Sequence, residues 1–425
     1  MGLDDIHRDL HERITHFSTF GATDAGGIHR PEASTANGEA RDALVAWLGE
    51  AGFDVRIDAV GNIFGLAECA GPQAPWLLTG SHLDSQPNGG RFDGTYGVLA
   101  STIAAVNLQK RLRERSCQPV MNLAIVAWTN EEGARFQPSV LGSSVYVGAI
   151  ACDWALARTD LDGVSLKSAL EAINYLGTDQ PVPRPAAYVE LHIECGPELE
   201  RAGRRLGIFD RWWGCRKLEV RFDGVPAHTG PTPMEERRDA LLAAAYVIRG
   251  VRELVDEPPN GELHTSVGRI EVLPNSPNVV PSSAIIFLEL RSADPAILEA
   301  SYTQTLKLIE EAAEETGVDW AFERDELRRP GRFAPGLQRL AGSVAKALGE
   351  PAMELDTIAA HDAVPLASIC PSIVVATPSV GGICHSPKEF TEPEDLEIGL
   401  DLLSGMLEHL LIKGPNELKD GDIVT

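Results

Sequence analysis

The chain has 425 residues, more than one compact core usually carries, and its 44% hydrophobic and 23% charged residues are ordinary globular values that exclude disordered, fibrous and membrane classes. Its formal charge of −25 repels phosphate backbones, and no Lys/Arg stripe counters it, so nucleic acid is excluded as a partner. The longest apolar run, residues 240–248, is about half of the roughly 18 residues a spanning helix needs, so no membrane association is expected.

Residues 1–6 carry no basic region, no apolar stretch and no Ser or Thr at position 6 for lipidation, so a cytoplasmic protein is expected. Apolar residues at i, i+3/i+4 spacing predict helices over 41–50 and 96–112, and short apolar runs predict strands over 76–79, 123–129 and 188–193. The segment 181–185, Pro-Val-Pro-Arg-Pro, reads as a loop. From 213 to 324 the pattern changes to strand 217–222, helix 236–254, strands 266–272 and 284–291, helix 296–316 and strand 319–322. That β-α-β-β-α-β order is the ferredoxin-like split unit. A helix over 337–348, a strand over 373–376 and a helix over 396–411 return to the first pattern. The expected architecture is α/β, with a catalytic domain of residues 1–212 and 325–425 around a largely parallel sheet and an inserted domain of residues 213–324. Seven cysteines, an odd number without a close-spaced pair, read as reduced thiols.

Four polar clusters fall where strands of the outer domain are predicted to end, the place where open α/β sheets bind ligands. In Gly80-Ser81-His82-Leu83-Asp84-Ser85, His82 can offer a neutral imidazole to a metal while Asp84 accepts its other ring N–H; an ordinary polar loop is the alternative. Asp93, in the glycine-flanked run Gly90-Arg91-Phe92-Asp93-Gly94, can bridge two cations. Thr129-Asn130-Glu131-Glu132-Gly133 sets two adjacent acids at a strand end, costly to bury unless they meet a metal or share a proton. One can ligate while the other acts as a base; a solvated pair of loop acids is the alternative. In Glu190-Leu191-His192-Ile193-Glu194-Cys195-Gly196-Pro197, the strand period puts Glu190, His192 and Glu194 on one face, where a buried structural histidine would serve equally well. Gly381-Gly382-Ile383-Cys384-His385-Ser386-Pro387 delivers a further histidine. Singly these clusters are ordinary. Jointly their histidines, aspartate and glutamates match a dinuclear site with mixed nitrogen and oxygen ligands.

In order and spacing the clusters resemble the M20 metallopeptidase superfamily, and within it the branch of N-carbamoyl-L-amino acid hydrolases, allantoate amidohydrolases and β-ureidopropionases. Three segments resemble that branch in particular: Thr129-Asn130-Glu131-Glu132-Gly133 with Arg135-Phe136, His192-Ile193-Glu194-Cys195-Gly196-Pro197, and Pro231-Thr232-Pro233-Met234 after His228. The resemblance implies a di-zinc-peptidase-like catalytic domain and an inserted lid and dimerisation domain, in a homodimer. It implies that His82, Asp93 and His192 hold one divalent metal and Asp93, Glu132 and His385 a second, zinc first, with manganese or cobalt as alternatives. Glu131 is then the general base: it accepts the proton of a water held between the cations, which polarise the scissile carbonyl, and delivers it to the leaving nitrogen. The same resemblance assigns His228 to the developing oxyanion, and Asn278 and Arg291 to the carboxylate of a small-molecule substrate. Arg291 suits that role through its planar fork. From the residues alone, Arg291 reads equally as a surface residue and Asn278 as a turn former.

Relatives in that branch usually carry Gln at the place of Cys195, Ser at the place of Cys384, and Ser-Gly-Ala-Gly where Thr357-Ile358-Ala359-Ala360 precedes His361-Asp362 here. The Gln and the glycine-lined run help cradle a ureido moiety in those relatives, so Cys195 and Ala360 mark the expected substrate pocket, with less hydrogen-bonding capacity and less room around Ile358. The expected activity is hydrolysis of the C–N bond of an N-carbamoyl or related N-acyl amino acid. An N-acyl-amino-acid deacylase or dipeptidase is the alternative enzyme. A non-catalytic metal- or ligand-binding protein is the third reading, against which stands Glu131, a residue binding alone does not need.

Overall fold

The computed structural model describes residues 2–114, 118–178, 182–256, 258–259 and 261–414. The chain divides into two compact units, residues 1–210, 333–355 and 359–425 in one, and residues 211–332 and 356–358 in the other.

In the first unit four parallel strands lie side by side in the order Asn122–Trp128, Trp76–His82, Pro185–Ile193, Ser372–Thr377. Every residue of Asn122–Trp128 and Ser372–Thr377 is buried, as befits strands covered on both faces. The sheet is mixed rather than largely parallel. Ile63–Ala67 pairs antiparallel with Asn122–Trp128, Asp54–Ile57 antiparallel with Ile63–Ala67, and Gly207–Trp212 antiparallel with Ser372–Thr377. Asp54–Ile57 and Ile63–Ala67 are joined only by the turn 58–62, too short for the crossover that parallel pairing requires.

Helices Thr95–Glu114 and Pro393–Lys413 pack on each other and on this sheet, and Leu3–Phe17 packs beside them. Leu10, Ile14 and Phe17, spaced by four and three residues, turn one face of that first helix into the core. Truncating Leu10, fully buried, to alanine would cost about 2–5 kcal/mol. The helix expected over 41–50 begins earlier, at Thr35, where Ser34 accepts the Asn37 N–H as a cap. Of the segment 181–185 expected as a loop, residue 181 lies outside the described residues and Pro185 opens a strand. No helix among the described residues is long and apolar enough to cross a membrane.

The second unit is a four-stranded antiparallel sheet in the order Asp319–Arg328, Gly214–Asp223, Ser283–Ser292, His264–Leu273, with helices Ala240–Glu253 and Pro295–Thr316 packed together against it. Alternation along Ser283–Ser292 is complete. Ala284, Ile286, Leu288 and Leu290 enter the core with the helices, while Ile285, Phe287, Glu289 and Arg291 sit half-exposed on the other face. A two-residue ribbon, Ala227–His228 against Val279–Val280, sets Val279 opposite His228.

Candidate metal centre

Because the central strands are parallel, their C-terminal ends share one edge, and the polar clusters gather there. Trp76–His82 ends on His82, Pro185–Ile193 carries His192 one residue from its end, and Asn122–Trp128 runs directly into the Glu131-Glu132 turn. Asn130 makes that turn in the left-handed region at φ 55°, its side-chain amide donating to the Phe136 and Pro138 carbonyls. Asp93 precedes helix Thr95–Glu114. Between them Gly94, at φ 63°, is obligatory: a Cβ there would stand 2.3 Å from the His82 ring. His385 adopts φ 55° after Gly381 and Gly382, a conformation that costs a residue with a side chain on the order of 1–3 kcal/mol and that gathers at functional sites.

Three imidazoles converge on one carboxylate. His82 Nε2 and His192 Nε2 lie 3.5 and 3.1 Å from Asp93 Oδ1, and His385 Nε2 lies 3.2 Å from both Asp93 Oδ2 and Glu132 Oε2. Glu131 Oε2 is 3.5 Å from His82 Nε2. Donors about 2.0–2.1 Å from a zinc at tetrahedral angles stand about 3.3 Å from one another. The separations therefore fit two divalent cations sharing Asp93, one among His82, Asp93 and His192, the other among Asp93, Glu132 and His385. The ring orientations agree, since His82 and His192 donate from Nδ1 to the carbonyls of Asp84 and Ile193, at 3.0 and 2.9 Å, and leave the Nε2 lone pairs facing inward.

The electrostatics of the cluster call for positive charge. Burial lowers the His192 pKa, but the hydrogen bond and charge of Asp93 outweigh it and bring it up to about 9. His385, opposed by burial and held by Asp93 and Glu132, is pushed up to about 11. His82 also rises well above its ordinary value, because Glu131, Asp84 and Asp93 together outweigh burial. Asp93, in spite of burial, is held well below the usual carboxylate range by His192, His385 and His82. Glu131 goes the other way: burial pushes it well above that range, and Asp362, Glu132 and Asp84 add repulsion against the pull of His82.

Asp84 acts differently from the sequence expectation. Its main-chain oxygen, not its carboxylate, is the closer partner of His82 Nδ1, the carboxylate standing at 3.6 Å. The carboxylate instead accepts the backbone N–H groups of Glu131 and Glu132, at 3.2 Å each. Glu190 accepts from the Ser81 hydroxyl and the Ala363 N–H, and Glu194 from the N–H groups of Glu198 and Leu199, so Glu190 joins strand Trp76–His82 to the start of helix Ala363–Leu366 and Glu194 holds the start of helix Glu198–Ala202. Cys195 and Cys384, expected as reduced thiols, are joined as a disulfide with Cα atoms 5.2 Å apart. Ala360 is half-buried beside the buried His361 and Asp362.

Several contributors carry no local signal. Gln86 donates to both oxygens of Glu132, at 3.1 Å from its backbone and 3.0 Å from its amide. Glu389 accepts the N–H groups of Phe92 and Asp93, fixing the loop that holds the shared carboxylate. The buried Glu32–Arg41 pair, 2.7 Å apart, grips the Thr129-Asn130 turn: Arg41 donates to the Thr129 hydroxyl and Glu32 accepts the Asn130 N–H.

In the second unit His228 and Asn278 are exposed neighbours, the Asn278 carbonyl accepting the Thr229 N–H at 3.3 Å. His228 Nδ1 accepts the Gly230 N–H at 3.0 Å. Arg291 is not with them. It lies eight residues along the strand that begins at Ser283, roughly 27 Å at about 3.4 Å per residue, and it is paired with Glu289.

Peptidase family M20/M25/M40 matches residues 78–409. A protein of Mycolicibacterium smegmatis described as a hydrolase is 42% identical over 410 residues, covering 95% of this chain and 93% of that protein. An N-carbamoyl-L-amino-acid amidohydrolase of Rhizobium meliloti is 34% identical over 395 residues, 93% of this chain and 94% of that one. Among solved structures, an amidase of the hydantoinase/carbamoylase family from Burkholderia vietnamiensis superposes with a TM-score of 0.91 at 32% identity, covering 96% of this chain and 98% of that one. A match across 78–409 that spans every strand-end cluster at the centre places the chain in peptidase family M20/M25/M40.

Proposed function

We propose that the chain is a metal-dependent amidohydrolase that cleaves the C–N bond of N-carbamoyl amino acids or closely related N-acyl amino acids. The observation that carries this reading is the convergence of three Nε2 atoms on the two oxygens of Asp93, at 3.1–3.5 Å, with Glu131 alongside. His82, Asp93 and His192 would hold one divalent cation and Asp93, Glu132 and His385 a second, zinc first, and the pair would supply Lewis acidity for the carbonyl and for water. Glu131, with its raised proton affinity, takes the water proton and gives it to the leaving nitrogen. Asp84 holds the backbone of both adjacent acids, so that one serves as base while Glu132 faces His385 as a ligand.

His228 accepts at Nδ1 and so presents Nε2–H as a donor for the developing oxyanion, with Asn278 beside it. Arg291 takes the substrate carboxylate. The β-α-β-β-α-β order of the second unit supports reading it as a ferredoxin-like lid, and its edge strand His264–Leu273, with Ile270 and Leu273 exposed, supports dimerisation through it. The roughly 27 Å along the strand between Arg291 and the end beside the His228–Asn278 pair supports reading them as reaching one small substrate from two different copies.

The test is a panel of N-carbamoyl and N-acetyl amino acids and ureido acids, assayed for ammonia and free amine before and after chelation. Ammonia released together with free amine identifies the carbamoyl group as substrate; amine without ammonia shifts the assignment to a deacylase. Full activity after exhaustive chelation removes the reading.

A further inference from the structure

We propose that Cys384 is a sulfur ligand of the cation position formed by Asp93 and His385, and that closing the Cys195–Cys384 disulfide withdraws it. This rests on the two-cation reading above and adds to it a donor and a means of regulation. Cys384 Sγ lies 3.1 Å from Asp93 Oδ2, and that oxygen lies 3.2 Å from His385 Nε2. Ligand atoms of Asp93, Cys384 and His385 all fall within 4.8 Å of one another. With zinc–sulfur bonds of about 2.3 Å and zinc–oxygen bonds of about 2.0–2.2 Å, tetrahedral sulfur and oxygen donors stand about 3.5 Å apart, so the sulfur, held here in the disulfide, needs only a small shift on reduction to complete the set. A thiolate there would favour zinc or cobalt over magnesium or calcium.

Cys195 is the other half of the device. Its Sγ lies 3.9 Å from the same Asp93 oxygen, and its Cα is 5.2 Å from that of Cys384, within the span of a disulfide. Cys195 lies two residues beyond the strand that carries His192, and Cys384 directly precedes His385, so the bond ties together two ligand-bearing segments. Cys195 is exposed and Cys384 half-buried, which leaves the pair accessible to a small reagent. The exchange balances with a low-molecular-weight disulfide as oxidant. One cysteine thiolate attacks it to form a mixed disulfide, and the second attacks that intermediate. The net change is two protein thiols and one small disulfide giving the Cys195–Cys384 bond and two small thiols; two electrons pass to the reagent, and the two thiol protons end on the released thiols. A disulfide sulfur offers no thiolate charge, so the cation position loses its soft ligand while Asp93, Glu132 and His385 remain.

The experiment loads the full chain with cobalt(II), reduced and then oxidised, and reads bound metal and sulfur-to-cobalt charge-transfer absorption in the near ultraviolet. Reduced wild type is expected to show that absorption, and a low-molecular-weight disulfide to abolish it reversibly. Cys384→Ser should lose the absorption and bind one cobalt more weakly, by at least the roughly 10- to 100-fold that even an outer partner of a ligand contributes. Cys195→Ser should keep the absorption, and any absorption it loses to the oxidant should be accompanied by the added mass of a mixed disulfide that oxidised wild type lacks. Two bound cobalt ions without sulfur absorption in the reduced wild type, or full absorption in Cys384→Ser, overturns this inference and leaves the two-cation reading standing. A reduced protein that binds no cobalt overturns both.

Discussion

Arg291 directs one side of its guanidinium at Glu289, Nε and Nη2 lying 3.0 and 2.6 Å from Glu289 Oε2, while Nη1 reaches the Ile358 carbonyl at 2.6 Å. Three of its five N–H donors are thereby engaged and two remain for a ligand. The neighbours preset the side chain, which lowers the entropy cost of binding a carboxylate. Arg291→Ala should raise KM for N-carbamoyl amino acids about 10- to 100-fold, the equivalent of about 1.5–3 kcal/mol for a charge-assisted pair, with metal content unchanged. Arg291→Lys should not restore it, because an ammonium lacks the fork. Steady-state kinetics with unchanged KM in Arg291→Ala would remove this residue from substrate binding.

Glu289 also meets Lys217, 3.1 Å away. Burial raises its carboxyl pKa, but Lys217 and Arg291 outweigh burial and hold it at about 2, below its ordinary 4.5. A depressed carboxylate pKa stabilises the fold above the unfolded value, and that stability is lost as pH falls from about 4.5 through 2. The difference, 4.5 − 2 = 2.5 units, corresponds to at most about 3 kcal/mol. Urea unfolding of wild type and Glu289→Gln should therefore differ by up to that amount at pH 7, and the difference should shrink toward pH 3. An equal gap at both pH values would contradict the pairing as its source.

The central strands were legible because they are short apolar runs ending in polar clusters. Each predicted strand, 76–79, 123–129, 188–193 and 373–376, overlaps an observed one of the parallel centre. The short antiparallel strands Asp54–Ile57 and Gly207–Trp212 were not, since their charged and half-buried residues give no clean alternation. Helix Leu3–Phe17 does carry a signal in the sequence, Ile6, Leu10, Ile14 and Phe17 at helical spacing. Within the site, residues adjacent in sequence could be grouped, but contacts across long separations could not. Glu389 reaches Phe92 over 297 positions, and Cys195 meets Cys384 over 189. The Arg291–Glu289 pair lies between these extremes: two residues apart on a strand, both face the same side, so the partner was readable from the period alone.

Metal content should follow the two positions separately. His385 is half-exposed, 51% by side chain, whereas His82 and His192 are 1% and 3% exposed. Under metal-replete conditions elemental analysis should approach two divalent ions per chain, and a chelator should strip the His385 position first, giving a two-phase loss. His385→Ala should lose one ion and His82→Ala should disturb the other. Retention of both ions in His385→Ala would remove it from the ligand set.

The last prediction separates base from ligand in the adjacent acids. Glu132 is held as a ligand would be, with Gln86 donating to both oxygens and His385 Nε2 at 3.2 Å. Glu131 faces His82 and carries a raised proton affinity instead. Glu131→Gln should keep its metals and fold but lose about 10²- to 10⁴-fold in kcat, since an amide cannot take the water proton. Glu132→Gln should weaken metal binding, and added metal should restore part of its activity. Asp84→Asn should damage both functions together, because its carboxylate accepts the N–H groups of both acids and an amide can accept through only one of its two heavy atoms. Kinetics and metal analysis on the three variants decide the matter. Identical behaviour of Glu131→Gln and Glu132→Gln would mean that the turn at Asn130 does not divide the two roles.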